Sequence, residues 1–444
     1  MSTDRPATLW HDRVALPDRP ALTGAAEAGV VVIGGGFTGL SAAATLAEGG
    51  MGVTVLEAAG LAHSASGRNA GFVVPNFSKA DPAQVLARLG PDRGRRLLQM
   101  VGGAADRVFA LARAAGPATE AEQNGWLQPA HSPAMAGVVQ ARVRAWAELG
   151  RPVAWLDAAE TARRTGIEIY HGALVDRSGG VINPVAFAAA LARRAEAAGA
   201  KLYENSAVLS VTRRGEGWRV ATAHGHVDAA RVLLCTNAHD LGAARALGRT
   251  VIPLNVYQIA TEPLGPDLIA RFSPRREPVS DTRANIFTFR LTADNRLISG
   301  GMAVVPGRGA QSRMSRKIAA RLATELHLPA IPRVDYIWRG TAAVTTDFLP
   351  HLVDLGPGFL GVTACNGRGL AMTTVMGEML AEAILSARPL DDLPVPLRPP
   401  AAVPAPFLAR WAPSVFLLQG DRADRRAIRQ TRKDRNGASG PRTA

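Results

Sequence analysis

One stretch near the amino terminus constrains the fold more than any other. A short apolar run, Val30–Ile33, precedes three glycines spaced G-x-G-x-x-G, and an alanine-rich segment, residues 40–49, follows them. This order predicts a buried parallel strand, a tight turn and a helix. A second apolar run, residues 53–56, ends at Glu57, a little over twenty residues after Gly34. Together these segments predict a strand–helix–strand unit of the Rossmann type.

The glycines and the acid have separate physical tasks in such a unit. Gly34 permits a tight turn, Gly36 lets the backbone approach a pyrophosphate, and Gly39 lets the helix pack closely on the strand. The N–H groups at the start of the helix favour an anion. Glu57 stands where an acid accepts hydrogen bonds from an adenosine ribose, and it would repel a 2′-phosphate. We therefore predict an adenine dinucleotide other than NADP; for the glycines alone, the alternative is a flexible turn.

The segment after the acid narrows the cofactor to FAD through a resemblance. Residues 60–71 read GLAHSASGRNAG, and residues 36–43 read GFTGLSAA. Both loops resemble those of the D-amino-acid-oxidase-like FAD enzymes, closest in the γ-glutamylputrescine oxidase branch. Further landmarks of that family follow in order: Asn183-Pro184 opening a helix that ends near Gly199, an apolar strand over 232–238, and a strand, glycine loop and helix over 361–384.

The resemblance and the glycine pattern together imply a set of cofactor-binding residues. These are Gly34, Gly36, Phe37, Thr38, Gly39, Glu57, Ser66, Gly67, Arg68, Asn69, Ala70, Val208, Thr236, Asn237, Asn366, Gly367, Gly369 and Leu370. Some relatives attach the flavin through a cysteine in the segment that here spans residues 338–345, and this chain has no cysteine there. We therefore expect non-covalent FAD and no metal.

The fold class that the resemblance implies is α/β, with a discontinuous Rossmann-like FAD-binding domain and a second, α+β substrate domain built on an antiparallel sheet. Motif positions place the FAD-binding domain at 26–85, 170–245 and 335–395, and the substrate domain at 86–169 and 246–334. Residues 1–25 form an amino-terminal extension, 396–420 a packed segment and 421–444 a basic, disordered tail. We expect substrate chemistry at the junction of the two domains.

The reaction implied is oxidation of a C–H bond next to nitrogen in a small amine or amino acid, by hydride transfer to flavin N5. The resulting imine hydrolyses. Arg290, on a predicted strand, is a candidate clamp for a carboxylate. Tyr257 and His351 are further catalytic candidates. A surface ion pair is the alternative for Arg290, and a structural role is the alternative for the other two.

The electron acceptor, oxygen or another molecule, stays open at this point. Some relatives hold a lysine over the flavin that assists reaction with oxygen. The second insertion, residues 246–334 of the predicted substrate domain, contains only one lysine, Lys317, in a predicted surface helix. The main alternative is therefore a flavin dehydrogenase of amines or 2-hydroxy acids, docked on a membrane through the basic tail. A non-catalytic or tRNA-modifying flavoprotein is a more distant alternative.

Composition bears on location and partners. The chain has 51 basic and 37 acidic residues, a net charge of +14, and residues 421–444 alone hold eight basic and three acidic side chains. No aromatic-basic RNA motif accompanies this charge, so we expect no nucleic-acid partner, and we favour a solvated tail over membrane contact. Two cysteines and an amino terminus unlike a signal peptide favour a cytoplasmic protein.

Overall fold

The computed structural model describes residues 7–239, 242–302, 309–363, 366–404 and 412–438. Contacts divide the chain into two compact units. Unit 1 comprises residues 1–121, 182–255 and 340–410, and unit 2 comprises residues 122–181, 256–339 and 411–444. The chain therefore passes between the units several times.

The strands are, in chain order, β1 Gly24–Ile33, β2 Val53–Leu56, β3 Phe72–Val73, β4 Trp126–Pro129, β5 Val153–Leu156, β6 Ala173–Asp176, β7 Gly180–Val181, β8 Lys201–Tyr203, β9 Ser210–Arg214, β10 Gly217–Ala221, β11 Gly225–Leu234, β12 Ile252–Pro263, β13 Val279–Ser280, β14 Thr288–Leu291, β15 Arg296–Met302, β16 Val334–Val344, β17 His351–Gly356, β18 Phe359–Thr363 and β19 Leu397–Arg398. The α-helices are α1 Leu9–Arg13, α2 Phe37–Glu48, α3 Ala65–Arg68, α4 Pro82–Leu89, α5 Pro91–Ala115, α6 Pro133–Glu148, α7 Ala158–Thr165, α8 Pro184–Ala197, α9 Arg245–Gly248, α10 Pro266–Phe272, α11 Ala310–Glu325, α12 Gly369–Leu385 and α13 Ala412–Ala438. Short 3-10 helices lie at Pro117–Thr119, Gly242–Ala244 and Leu390–Asp392.

Unit 1 is built on a mainly parallel sheet with the order β19-β17-β18-β11-β1-β2-β8, and β10 and β9 extend it from β11. β1 pairs in parallel with both β11 and β2. Residues Val30–Val32 are fully buried, as expected for a central strand covered on both faces. The strand–helix–strand prediction for residues 30–57 is confirmed, and the fold is the predicted Rossmann-like α/β type.

Two helices of unit 1 approach each other closely over the sheet. Ser41 Oγ on α2 donates a hydrogen bond to the Thr374 carbonyl on α12 at 2.7 Å. A Cβ on Gly377 would lie only 2.3 Å from the Thr38 carbonyl, so the glycine permits this contact. The close packing holds the amino-terminal half of α2 against α12.

Unit 2 contains a second sheet with the order β16-β12-β15-β14-β13-β4-β6-β5. The pairs β12–β15, β14–β15, β13–β14, β4–β6 and β5–β6 are antiparallel. The antiparallel strands predicted for the second insertion are thus confirmed. Helix α11 covers one face of this sheet, and Met314, Ile318 and Leu322 of α11 join its hydrophobic cluster.

The unit boundaries differ from the domain boundaries predicted from motifs. Residues 86–121 belong to unit 1, because helix α5 packs in that unit. Arg107 on α5 forms a bidentate ion pair with Glu378 on α12, with hydrogen bonds of 2.8 and 2.7 Å. Residues 170–181 and 335–339 belong to unit 2; β6, for example, pairs with β4 and β5. The functional names of the two domains stay predictions.

The carboxyl-terminal region also differs from its prediction. Residues 421–438, expected to be disordered, continue helix α13, while residues 439–444 lie outside the described residues. Leu417 and Asp424, on one side of the helix, are buried in unit 2. Pro413 stands in the first turn, where its missing N–H breaks no helical bond. Burial of these two side chains favours an ordered helix over a disordered tail, and composition alone did not reveal that burial.

Within the described ranges, none of the helices combines the length and the apolar character that a membrane crossing needs.

Candidate flavin site

The glycine loop of unit 1 brings backbone to backbone at two points. Gly34 has a φ of +112°, and a Cβ there would lie 2.8 Å from the Cys235 carbonyl. A Cβ on Gly39 would lie 2.0 Å from the Gly34 carbonyl. The N-cap residue of α2, Gly36, supplies no capping side chain, and the described first turn of α2 holds no acid. Gly35 N–H donates to Glu57 and Phe37 N–H to Ser66, and the remaining N–H groups of this helix start are the kind that binds a pyrophosphate.

Glu57, at the end of β2, completes this edge of the sheet. Its carboxylate accepts hydrogen bonds from Gly35 N–H at 2.7 Å and Ala59 N–H at 3.0 Å. Burial raises the pKa of Glu57, and the backbone N–H groups oppose that rise. Because each carboxylate oxygen accepts more than one hydrogen bond, Glu57 keeps acceptor capacity for ribose hydroxyls.

The loop that carries Ser66, Gly67, Arg68, Asn69 and Ala70 is held mostly by its own side chains. Ser66 Oγ accepts from Phe37 N–H at 3.1 Å, which ties the loop to α2. Asn69 donates to the Ser66 carbonyl at 2.7 Å and accepts from Gly71 N–H at 2.8 Å. Arg68 Nε donates to the His63 carbonyl at 2.7 Å. Direct cofactor contacts by the Arg68 and Asn69 side chains stay predictions, and both side chains shape the loop.

The amino terminus of α12 forms the other side of the predicted site. Asn366 has a φ of +39°, and its Oδ1 accepts from the N–H and hydroxyl of Thr345 at 2.8 and 3.1 Å. Its Nδ2 is buried and has no hydrogen-bond partner among the described residues. Gly367 has a φ of +77°, and no described atom lies within 4 Å of a would-be Cβ there. Gly369 begins the helix, and Leu370 is buried. This helix start likewise has no side-chain cap within the described chain.

Three further predicted residues lie in loops of unit 1. Thr236 follows β11, and its buried Oγ1 has no partner in the described part of the chain. Asn237 has a φ of +54° and donates to the Thr341 carbonyl at 3.4 Å. Val208 is half-buried between β8 and β9, and its carbonyl approaches Gly242.

These features fit FAD. Among the described residues, Asn366 Nδ2 and Thr236 Oγ1 have no hydrogen-bond partner, and the N-cap residues of α2 and α12 make no side-chain cap. A dinucleotide would supply polar partners to these groups. Gly34–Gly39 would hold the pyrophosphate and Glu57 the ribose. The start of α12, a positive dipole end, would favour negative charge on the bound isoalloxazine.

The comparison with known families decides the assignment. Residues 29–383 match the family described as FAD dependent oxidoreductase. The chain belongs to this family. It binds FAD and is an FAD-dependent oxidoreductase.

Individual relatives support the same conclusion. The chain is 30% identical over 358 residues to gamma-glutamylputrescine oxidoreductase of Escherichia coli (strain K12), covering 80% of this chain and 83% of that protein. It is 29% identical over 405 residues to the probable oxidoreductase OrdL of Rhizobium meliloti (strain 1021), covering 89% and 92%. Glycine oxidase from Geobacillus kaustophilus shares the fold, with a TM-score of 0.67 at 20% identity, over 82% of this chain and 96% of that one.

The three catalytic candidates fall in different environments. His351, at the start of β17 in unit 1, is buried, and its Nε2 lies 3.0 Å from Asp347 Oδ2. Burial alone would raise the pKa of Asp347, but the hydrogen bond and charge of His351, Leu349 N–H and Arg398 together lower it below its usual range. His351 is therefore held by a hydrogen bond with Asp347, and its catalytic role stays a prediction.

Arg290 and Tyr257 lie on opposite faces of the unit 2 sheet. Arg290 pairs with Ile298 and Tyr257 with Gly301, three residues further along the same strand, β15. Because side chains alternate, these two rows face opposite ways. Tyr257 packs in the hydrophobic cluster under α11, which favours a structural role. Arg290 is 2% exposed on the other face, and its Nε donates to the Leu291 carbonyl at 3.2 Å.

Two supporting residues were not predicted from the sequence. Trp10 on α1 is fully buried, and its Nε1 donates to the Asn69 carbonyl at 2.8 Å. Thr345 positions Asn366, as described above. Trp10 carried a usable signal, since it is a large aromatic residue in a supposed extension of a chain that is only 5% aromatic.

Proposed function

We propose that this FAD-dependent oxidoreductase oxidises the C–N bond of a small amine or amino acid that carries a carboxylate. The product would be an imine, which water hydrolyses to a carbonyl compound and an amine or ammonia. The observation that carries the substrate part of this proposal is Arg290, a guanidinium buried on the face of the unit 2 sheet opposite α11. The name of the E. coli relative makes γ-glutamyl amines the first candidates.

Arg290 supplies binding and charge in this proposal. A guanidinium stays protonated even when buried, and its planar array of N–H donors matches a carboxylate. When bound, FAD accepts the hydride equivalent of the oxidation. The amine must be neutral to lose hydride, and both burial and the positive charge of Arg290 favour the neutral amine. Arg290 therefore orients the substrate and lowers the pKa of its amino group.

A substitution series tests the role of Arg290. For carboxylate-bearing amines, we expect Arg290→Gln to raise KM about tenfold to a hundredfold or more, with a smaller effect for Arg290→Lys. Amines without a carboxylate should show no such dependence. Arg316→Gln, at an exposed position on α11, is the matched control and should behave as wild type. Equal KM values for Arg290→Gln and wild type with every carboxylate substrate would exclude the proposed role.

A dehydrogenase acting on the same substrates is the second candidate. Some relatives hold a lysine over the flavin that assists reaction with oxygen. Lys317, the lysine of residues 246–334, is instead exposed on α11, and this observation favours the dehydrogenase. Substrate-reduced enzyme should then keep its reduced spectrum on exposure to air and transfer electrons to an artificial dye. Rapid reoxidation in air with stoichiometric hydrogen peroxide would instead establish an oxidase. A cytoplasmic location, dissociable FAD and the absence of nucleic-acid or membrane partners stay predictions.

A further inference from the structure

The register of the unit 2 sheet places a second polar side chain on the same face as Arg290. Gln258 on β12 pairs with Gly300 on β15. Arg290 on β14 pairs with Ile298, which lies two residues before Gly300 on the same strand. Alternation along β15 therefore puts Gln258 and Arg290 on one face. The neighbouring Gly301 confirms the assignment, since a Cβ there would contact Met314 and Ile318 of α11 on the opposite face.

The Gln258 side chain lies across the strand beside it. A Cβ on Gly300 would stand 2.5 Å from Gln258 Oε1 and 2.8 Å from its Cδ. The glycine thus makes room for the amide to lie flat on the sheet. Any larger residue at position 300 would displace the amide, so the position of Gln258 is set by the glycine opposite.

Among the described residues, the acceptor of this amide lacks a hydrogen-bond partner. Gln258 Oε1 is buried, and the described residues offer it no hydrogen bond. A buried polar atom without a partner is costly, and native proteins reserve such atoms for a ligand, water or function. The same sheet face carries the positive charge of Arg290, two strands away.

We propose that Gln258 is a specificity-determining residue, whose Oε1 accepts a hydrogen bond from a substrate N–H while Arg290 binds the substrate carboxylate. This inference rests on the function proposed above. β12 and β14 are separated by β15, so the two groups stand on strands about 10 Å apart. The substrate they select carries its N–H donor several bonds from its carboxylate, as an amide-bearing amino acid does. Simple α-amino acids engage only one of the two groups.

The test uses the FAD-loaded protein and two probes. γ-Glutamylputrescine has a carboxylate and an amide N–H several bonds apart, whereas N-methylglycine has a carboxylate without such an amide. We expect Gln258→Leu to raise KM for γ-glutamylputrescine about tenfold to a hundredfold with little change in kcat, and to leave KM for N-methylglycine unchanged. Gly300→Ala keeps the glutamine but displaces its amide, so it should raise the same KM.

Controls separate this role from a folding defect. Gln311→Leu makes the same chemical change at an exposed position of α11 and should leave both KM values unchanged. Binding of glutamine, measured from the shift it causes in the flavin absorbance, should weaken in both test variants, which gives a readout independent of turnover. Melting temperatures should match that of wild type.

Each possible result decides the matter. If wild type oxidises γ-glutamylputrescine and either test variant keeps its KM within about twofold, the role of Gln258 is refuted while the proposed function stands. If wild type oxidises only simple amino acids, the substrate class inferred here is refuted. If no amine reduces the flavin of wild type, the proposed function fails, and the inference that rests on it fails too.

Discussion

Gly39 illustrates how strongly one residue constrains the cofactor loop. A Cβ at this position would lie 2.0 Å from the Gly34 carbonyl and 3.0 Å from Val32 Cγ1. The backbone carbonyl has no rotamer by which to move away, so the helix would have to shift from the strand. The positions of the N–H groups that would hold a pyrophosphate depend on that contact.

We therefore expect Gly39→Ala to weaken FAD binding. Overpacking costs about 1–3 kcal/mol, which corresponds to an affinity about tenfold to a hundredfold lower. Flavin fluorescence titration of the apoprotein measures it. Gly103→Ala is the control, because Gly103 lies in α5 with nothing within 4 Å of its would-be Cβ; it should bind FAD normally. Equal affinities of the two variants would contradict the packing explanation.

The Asp347–His351 pair gives a prediction about pH. The pKa of Asp347 is lowered in the folded protein from its usual 3.8. Its carboxylate therefore stabilises the fold at pH values above 3.8. This stabilisation is lost as the pH falls through the folded-state pKa. Asp347→Asn should reduce the free energy of unfolding by about 1–3 kcal/mol at pH 7, and the deficit should shrink below about pH 4. Urea unfolding at several pH values measures it. A deficit independent of pH, or one shared by the exposed-site variant Asp391→Asn, would argue against this role.

At the residue scale, the spacing of residues along the sequence was sufficient to predict side chains and glycines whose positions depend on the backbone. Gly34, Gly39 and Glu57 were predicted from the G-x-G-x-x-G spacing and from the distance between the first glycine and the acid. The environments of Asn69, Tyr257 and His351 were not predictable, because a side chain's partner depends on contacts that spacing does not encode. Asn69 bonds its own loop, and Tyr257 lies under α11.

At the scale of elements, local signals located helices well when the chain carried caps. Asn183 caps α8 through hydrogen bonds from Val185 and Ala186 N–H, both at 3.2 Å, and this helix was predicted from Asn183-Pro184. Helix α13 was not predicted, because its anchors are tertiary: residues 396–420 were predicted as a packed segment and residues 421–444 as a disordered tail. Asp424 Oδ2 accepts from Ala284 N–H at 2.8 Å, and Oδ1 lies 3.4 Å from His131 Nε2.

Asp424 should therefore hold α13 on unit 2. We expect Asp424→Ala to increase amide exchange in residues 412–438 about tenfold to a hundredfold, because a buried hydrogen-bonding group loses its partner. Hydrogen exchange followed by mass spectrometry measures this peptide by peptide. Arg422→Ala, at an exposed position of the same helix, should leave the exchange unchanged. Unaltered exchange in Asp424→Ala would show that other contacts hold the helix.

At the scale of the whole molecule, the sequence predicted a discontinuous two-part architecture, and the compact units divide at other residues than the predicted domains do. Motifs mark a cofactor site, whereas the compact units are defined by packing between segments far apart in the chain. Helix α5 carries no motif and belongs to unit 1 through its contact with α12. The apolar pattern of α5 predicts that one face is buried, yet it does not specify the partner.

The proposed function involves residues of both units, since the predicted flavin-binding residues lie in unit 1 and Arg290 lies in unit 2. The most direct test is the absorbance spectrum of the purified full-length protein under anaerobic conditions, recorded while polyamines, γ-glutamyl amines, N-methyl amino acids and D- and L-amino acids are added in turn. We predict an oxidised flavin spectrum that at least one carboxylate-bearing amine bleaches. A colourless protein that FAD does not reconstitute, or a flavin that none of these amines reduces, would contradict the proposed function.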